Sequence, residues 1–205
     1  VSHTPKKPPF NRNDVQILEK DTVWEGFFSL SRYRLRHRKF NGEMSAPMSR
    51  ERLDKGHGAA AVAFDPIHQK IGLVEQFRVG ALESPKGPWC LEVVAGMVEE
   101  GETPSDVILR ELEEEAGITQ ATLTRITDYY STPGGCSEII HLFCAVCDLS
   151  NKEGIYGLAT ENEDIYFHVR DAQDVFAIMY TSRVNNAATL IALQWLQANH
   201  TTLTR

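Results

Sequence analysis

Apolar and polar residues alternate with period two along much of this chain and change to a helical period in three places. Near the N-terminus the alternation predicts strands at Asp14–Lys20, Thr22–Ser31 and Arg32–Lys39, with turns around Lys20-Asp21 and Asn41-Gly42. Further on, His57–Asp65 and Lys70–Arg78 read as an antiparallel pair across an Asp65-Pro66 turn, and Cys90–Ala95 as a short strand. Thr122–Tyr130 and Ile139–Asp148 read as strands on either side of the loop Ser131–Glu138, and Ile165–Val169 as another. The first helical stretch has sharp local signals. Thr103 suits the N-cap, Pro104 the first helical position, Asp106 a capping acid and Gly117 a left-handed end, so a helix is predicted from Pro104 to Ala116. Two more helices, Asp171–Tyr180 and Asn186–His200, close the chain; Leu190, Leu193, Trp195 and Leu196 are the expected core contacts of the second. Mixed strands interleaved with few helices argue an α+β fold, with a small β-rich N-terminal region at 1–55 and a main domain at 56–205.

Composition narrows the function classes. The chain has 205 residues, 42% hydrophobic and 24% charged, as in ordinary globular proteins. Its net charge of −7 argues against general nucleic-acid binding, which needs a basic face. No apolar run reaches the length of a membrane span, and the polar, proline-rich start from Val1 to Asn11 lacks the apolar core of a signal peptide. Four cysteines occur, and Cys144 and Cys147 have a CxxC spacing with no second pair. On a strand they face opposite sides, so packed free thiols and a reducing cytoplasm are expected.

Carboxylates supply the candidate chemistry. Glu111 and Glu115 stand one helical turn apart and Glu114 lies beside them. So many like charges on one face destabilise a helix unless a cation neutralises them, and oxygen ligands suit Mg²⁺ or Mn²⁺. A carboxylate-held metal is what hydrolysis of a phosphoanhydride requires. The stretch Gly96 to Ile118 resembles the Nudix box, Gly-x5-Glu-x7-Arg-Glu-U-x-Glu-Glu-x-Gly-U, at every fixed position: Gly96, Glu102, Arg110, Glu111, Leu112, Glu114, Glu115, Gly117 and Ile118. A chance match in a chain this long is about one in ten million from average residue usage. The resemblance implies an α/β/α sandwich around a mixed sheet. It also implies metal ligation by Glu111, Glu115 and the Ala95 carbonyl, with Glu114 in a second metal site or supporting the ligands. Arg110 would orient a box glutamate such as Glu102, and Gly96 and Gly117 would shape the backbone.

Over most of its length the chain is similar to bacterial ADP-ribose pyrophosphatases of that family. The matching segments are Gly26–Ser29, Arg34–Arg38, Lys55–His57, Glu75–Arg78, Ser131–Glu138 and Ala159–Asp164. Taken alone, the acidic run Glu161-Asn-Glu163-Asp164 would be a solvated loop. The resemblance makes Glu161 the general base and Glu163 a further metal contact. It also assigns substrate contacts to Phe27, Phe28, Arg50, Glu51, Lys55, Arg78, Met97, Thr132, Pro133, Gly134 and Glu138. Pro133 falls 15 residues after Ile118, a placement that in the family marks enzymes acting on ADP-ribose. Arg50 follows Ser49 where the subfamily often has a second arginine.

Alternation along Arg32-Tyr-Arg34-Leu-Arg36-His-Arg38 puts four arginines on one strand face. Read from the residues, this is either an exposed edge kept soluble by charge or a surface that pairs with acids at a subunit interface. The resemblance implies a homodimer with exchanged N-terminal regions. The expected activity is Mg²⁺-dependent hydrolysis of a nucleotide sugar, ADP-ribose, to AMP and ribose 5-phosphate, with more than one ion per site. Another nucleoside diphosphate sugar such as GDP-mannose, or a sensor that binds without cleaving, are the alternatives; no nucleic acid and no membrane are expected.

Overall fold

The computed structural model describes residues 10–203, except for the side chain of Glu161. Most of the polar start discussed above, residues 1–9, therefore lies outside the described residues. By internal contacts the chain divides into two units, Val1–Lys55 with Thr132–Glu138, and Gly56–Ser131 with Ile139–Arg205.

The first unit is built on three antiparallel strands, β1 (Val15–Glu25), β2 (Ser29–His37) and β3 (Met48–Asp54), in that order across the sheet. No turn forms at Lys20-Asp21. β1 runs through it, with register shifts between Ile17 and Glu19 and between Thr22 and Trp24, and the chain reverses at Gly26–Phe28 instead. Lys20 and Asp21 themselves pair with Tyr33 and Arg32, and the bulges fall on either side of them, at Leu18 and Val23. The turn at Asn41-Gly42 does form, with Gly42 at φ 89°. β2 is the central strand, so the reading of its arginines as an edge does not hold. Three of the four find partners within the same unit: Arg32 pairs with Glu51 at 3.3 Å, Arg38 with Asp14 at 2.8 Å, and Arg36 donates to Gln16 at 2.7 Å. Tyr33 is buried on the opposite face under the Arg52 guanidinium, 4.9 Å from its ring centroid. Loop 132–138 is stitched to β3 by Leu53 N–H donating to Gly135 O at 2.8 Å and Ser137 N–H donating to Leu53 O at 3.1 Å.

The second unit is an eight-stranded mixed sheet between helices. Its strands are β4 (His57–Asp65), β5 (Lys70–Phe77), β6 (Trp89–Glu92), β7 (Val94–Val98), β8 (Thr122–Tyr130), β9 (Ile139–Val146), β10 (Gly154–Tyr156) and β11 (Ile165–Asp171). The main path runs β10-β11-β5-β4-β9-β8, with β6 on β5 and β7 on β4; only β4 and β9 run parallel. β4 is buried on both faces, and its alternation explains the layers. Ala60, Val62 and Phe64 join the core of α2 (Ala172–Ile178) and α3 (Ala187–Leu203), while Ala59, Ala61 and Ala63 join the core of α1 (Pro104–Ala116). Leu193 and Leu196 are fully buried, with Leu190 and Trp195 packed beside them. Helices on both faces of a mixed sheet are the sandwich expected from the sequence.

Two further sequence features resolve structurally. All four cysteines are free; Cys144 and Cys147 face opposite cores, and burial pushes each thiol up to about 12. Asp65, His68 and Asp148 bring three ligand atoms within 4.8 Å of one another. Asp65 is already engaged there, accepting from the N–H groups of Ile67, His68 and Leu149 and from the His68 ring. That arrangement clamps the β4–β5 turn. No helix among the described residues is long and apolar enough to cross a membrane.

Candidate active site

The box helix α1 begins and ends on its local signals. Thr103 Oγ1 accepts from the Asp106 N–H at 3.3 Å, and its own hydroxyl donates to the Asp106 carboxylate at 2.6 Å. At the other end Gly117 turns left-handed, φ 62°, and its N–H donates to Glu113 O at 2.9 Å. The helix buries Val107, Ile108, Leu112 and Ala116 against the sheet, which forces Glu115, on the same stripe, into the interior as well.

Glu115 is 2% exposed. Among the described residues its hydrogen-bond partner is the Ala95 N–H, which donates to Oε2 at 3.2 Å. Burial, then the charge of Glu111, pushes its carboxyl up to about 8. Burial likewise pushes Glu111 up to about 7, although Arg110 opposes the shift. Glu163 raises both, so its charge acts on the same cluster, and the Leu158 N–H donates to its Oε2 at 3.2 Å. Arg110 sits among the acids: its Nη1 donates to Glu111 at 2.8 Å and Glu114 at 3.1 Å, while Nε lies 3.5 Å from Glu102. Glu102 is anchored in turn by the Glu99 N–H at 3.1 Å.

Gly96 is required by close approach. A Cβ there would stand 1.9 Å from Glu111 Oε1. The strand carrying Ala95 therefore presses against the carboxylate face of α1, which brings the backbone and the glutamates together. Met97, on the same strand, is 41% exposed.

These residues fit a hard divalent cation. The donors are all oxygens, and the buried Glu115 and half-buried Glu111 have too few hydrogen bonds to offset their desolvation. Glu111, Glu115 and Glu163 do not gather as tightly as the Asp65 triad. Like charges repel and keep their distance until something positive lies between them.

Arg78 follows β5, and its Nε donates to Glu92 Oε2 at 2.7 Å. Glu92 escaped the sequence reading. The available signal was a carboxylate ending the otherwise apolar strand Trp89-Cys-Leu-Glu92. Of Glu161 the structure describes the backbone, at the end of the 3-10 turn Ala159–Glu161; its side chain lies outside the described residues.

The remaining candidates belong to the first unit. Lys55 joins two of them, with Nζ 2.7 Å from Glu138 Oε1 and 5.7 Å from the Phe28 ring centroid. Phe27 packs edge-on to Phe28 at 4.9 Å and is 86% exposed. Arg50, Glu51, Pro133 and Gly134 line a cavity of about 460 Å³ whose walls include Tyr33 and Arg52. The carbonyl of Thr132 accepts from the N–H groups of Gly135 and Cys136, closing the tight turn that carries Pro133 and Gly134.

Residues 55–183 match the NUDIX domain. The chain is 43% identical to the ADP-ribose pyrophosphatase of Escherichia coli (strain K12), over 95% of this chain and 93% of that protein. It is 45% identical to the ADP-ribose pyrophosphatase of Haemophilus influenzae, over 95% and 91%. The solved structure described as "Crystal structure of ADP compounds hydrolase" shares the fold with a TM-score of 0.70 at 20% identity, covering 91% of this chain and 96% of that one. With a complete box on α1 and relatives matched along nearly its whole length, this chain belongs to the Nudix family and resembles its bacterial ADP-ribose pyrophosphatases.

Proposed function

We propose that the chain hydrolyses the diphosphate bond of ADP-ribose in a Mg²⁺-dependent reaction, releasing AMP and ribose 5-phosphate. The observation that carries this reading is the under-compensated carboxylate pair of half-buried Glu111 and buried Glu115, set against the Ala95 backbone in a complete box. Near-full-length similarity to ADP-ribose pyrophosphatases supports the choice of substrate.

Glu111, Glu115, Glu163 and the Ala95 carbonyl are the groups that would hold one or more ions. Bound there, Mg²⁺ supplies charge neutralisation on the diphosphate oxygens and a more acidic water. Arg110 keeps Glu111, Glu114 and Glu102 oriented by drawing them to one guanidinium. Glu161 takes a proton from the attacking water. The new bond joins that water oxygen to phosphorus, and the bond from phosphorus to the bridging oxygen breaks. Arg78 engages phosphate or ribose, and Met97 contacts the substrate.

In the first unit, Phe27 and Phe28 offer stacking faces for adenine. Lys55, Glu138, Thr132, Pro133 and Gly134 are assigned to substrate, as are Arg50 and Glu51. A homodimer with exchanged N-terminal regions and a cytoplasmic location complete the reading.

A substrate panel with Mg²⁺ tests it. ADP-ribose is turned over in preference to GDP-mannose and NADH, and Glu161→Gln lowers kcat about 10²- to 10⁴-fold, the range for loss of a general base. Preference for GDP-mannose would overturn the substrate assignment. Near-normal turnover by Glu161→Gln would overturn the base.

A further inference from the structure

We propose that Glu92 is a positioning residue for Arg78: it holds the guanidinium by Nε and leaves the fork of terminal amines for an anionic group of the substrate. The inference rests on the reading of this site as an ADP-ribose hydrolase.

Strand pairing supplies the geometry. β5 and β6 run antiparallel with Val74 opposite Glu92 and Gln76 opposite Cys90. The ladder continues one step past β5, because the Arg78 N–H donates to Pro88 O at 2.8 Å and Arg78 keeps extended backbone, φ −131° and ψ 113°. Side chains two apart on a strand share a face, and directly paired residues share it too. Val74, Gln76, Arg78 and Glu92 therefore look to one side of the sheet. Val74 packs with Val107, Ile108 and Leu112, so that side is the one covered by the box helix. That helix also carries the buried Glu115.

Chemistry then separates the two ends of the guanidinium. Glu92 takes Nε at 2.7 Å, and its side chain is only 16% exposed. Among the described residues Arg78 makes no hydrogen bond through either terminal nitrogen. A terminal pair of N–H donors matches two oxygens of a phosphate. An arginine 45% exposed and untethered would lose side-chain entropy on engaging that group, and the carboxylate has already restricted it. The fold gains little from the pair itself, since partly exposed ion pairs contribute about 0–1 kcal/mol. A strand position that served packing alone would take an apolar residue, as the buried Cys90 and Leu91 do.

The experiment compares steady-state hydrolysis of ADP-ribose with Mg²⁺ for the full chain, Glu92→Gln, Arg78→Gln and the double variant, with a thermal melt of each. The expected result for Glu92→Gln is a KM raised about 10- to 100-fold, the worth of a charge-assisted hydrogen bond, with kcat within about 3-fold. In the Arg78→Gln background the same change adds nothing, because Glu92 acts only through Arg78. A KM unchanged by Glu92→Gln, or losses that multiply in the double variant, would overturn the assignment. Arg78→Lys gives a second test should Glu92→Gln not fold: it keeps the ion pair and removes the fork, so a wild-type KM would also overturn it. A wild-type chain that does not cleave ADP-ribose removes the reading above and this inference with it. An active wild type with an indifferent Glu92 removes the inference alone.

Discussion

Glu115 concentrates the physics of this site. The helix stripe that anchors α1 also buries it, and the loss of water and the nearby Glu111 push its carboxyl up to about 8. Both box acids have folded values above the ordinary 4.5, so folding favours their protonated forms. Their contribution to stability is complete below about 4.5 and is lost as pH rises through about 7 and about 8. A metal-free sample therefore melts at lower temperature at pH 9 than at pH 6, and Mg²⁺ narrows the gap by binding the deprotonated pair. Melts in EDTA and in Mg²⁺ at the two pH values check this; identical melts in EDTA would contradict the burial account. Gly96 gives a steric prediction. Gly96→Ala drives a methyl into Glu111 Oε1, 1.9 Å from the Cβ position. We expect a loss of about 1–3 kcal/mol of stability, together with weaker Mg²⁺ binding by calorimetry. A variant matching wild type in both would show that the strand can step back.

Among the elements, α1 was fully legible because its signals are local. Thr103, Pro104 and Gly117 each act within a turn of themselves, and the helix runs from Pro104 to Ala116 as their chemistry predicts. Thr103→Ala is expected to cost about 1 kcal/mol through loss of the cap. Gly117→Ala should cost about the same from its left-handed backbone, since φ there is 62°. Denaturant unfolding measures both, and a stabilising Gly117→Ala would contradict the cap. β1 was less legible because Lys20-Asp21 has turn chemistry, yet pairing of Lys20 with Tyr33 and of Asp21 with Arg32 on β2 carries the strand through. β3 is rich in charge and β10 is short, and each forms by pairing with a neighbouring strand, which no apolar alternation of its own announces. The same cause hid Glu92. Its partner lies 14 residues away, joined by a ladder that local alternation cannot specify. The box acids, by contrast, share one helix and could be read from spacing.

At the scale of the whole molecule, two units carry different chemistry. The second holds the acidic cluster under α1, and the first holds aromatic rings, Lys55 and a stripe of arginines balanced mostly within the same unit. Loop 132–138 belongs with the N-terminal strands despite its distance in sequence, through the Leu53 backbone bonds. For the proposed exchange of N-terminal regions, sedimentation equilibrium is expected to give a dimer at assay concentrations, and a fully active monomer would contradict it. The central claim is that Glu111 and Glu115 hold the metal that cleaves ADP-ribose, and one measurement addresses it directly. AMP and ribose 5-phosphate released from ADP-ribose are quantified for wild type and Glu115→Gln, with Mg²⁺ and with EDTA. The account predicts equal amounts of the two products from wild type with Mg²⁺, none with EDTA, and at least a ~100-fold lower rate from Glu115→Gln, whose fold is retained. Product formation that survives EDTA, or that is indifferent to Glu115→Gln, would contradict it.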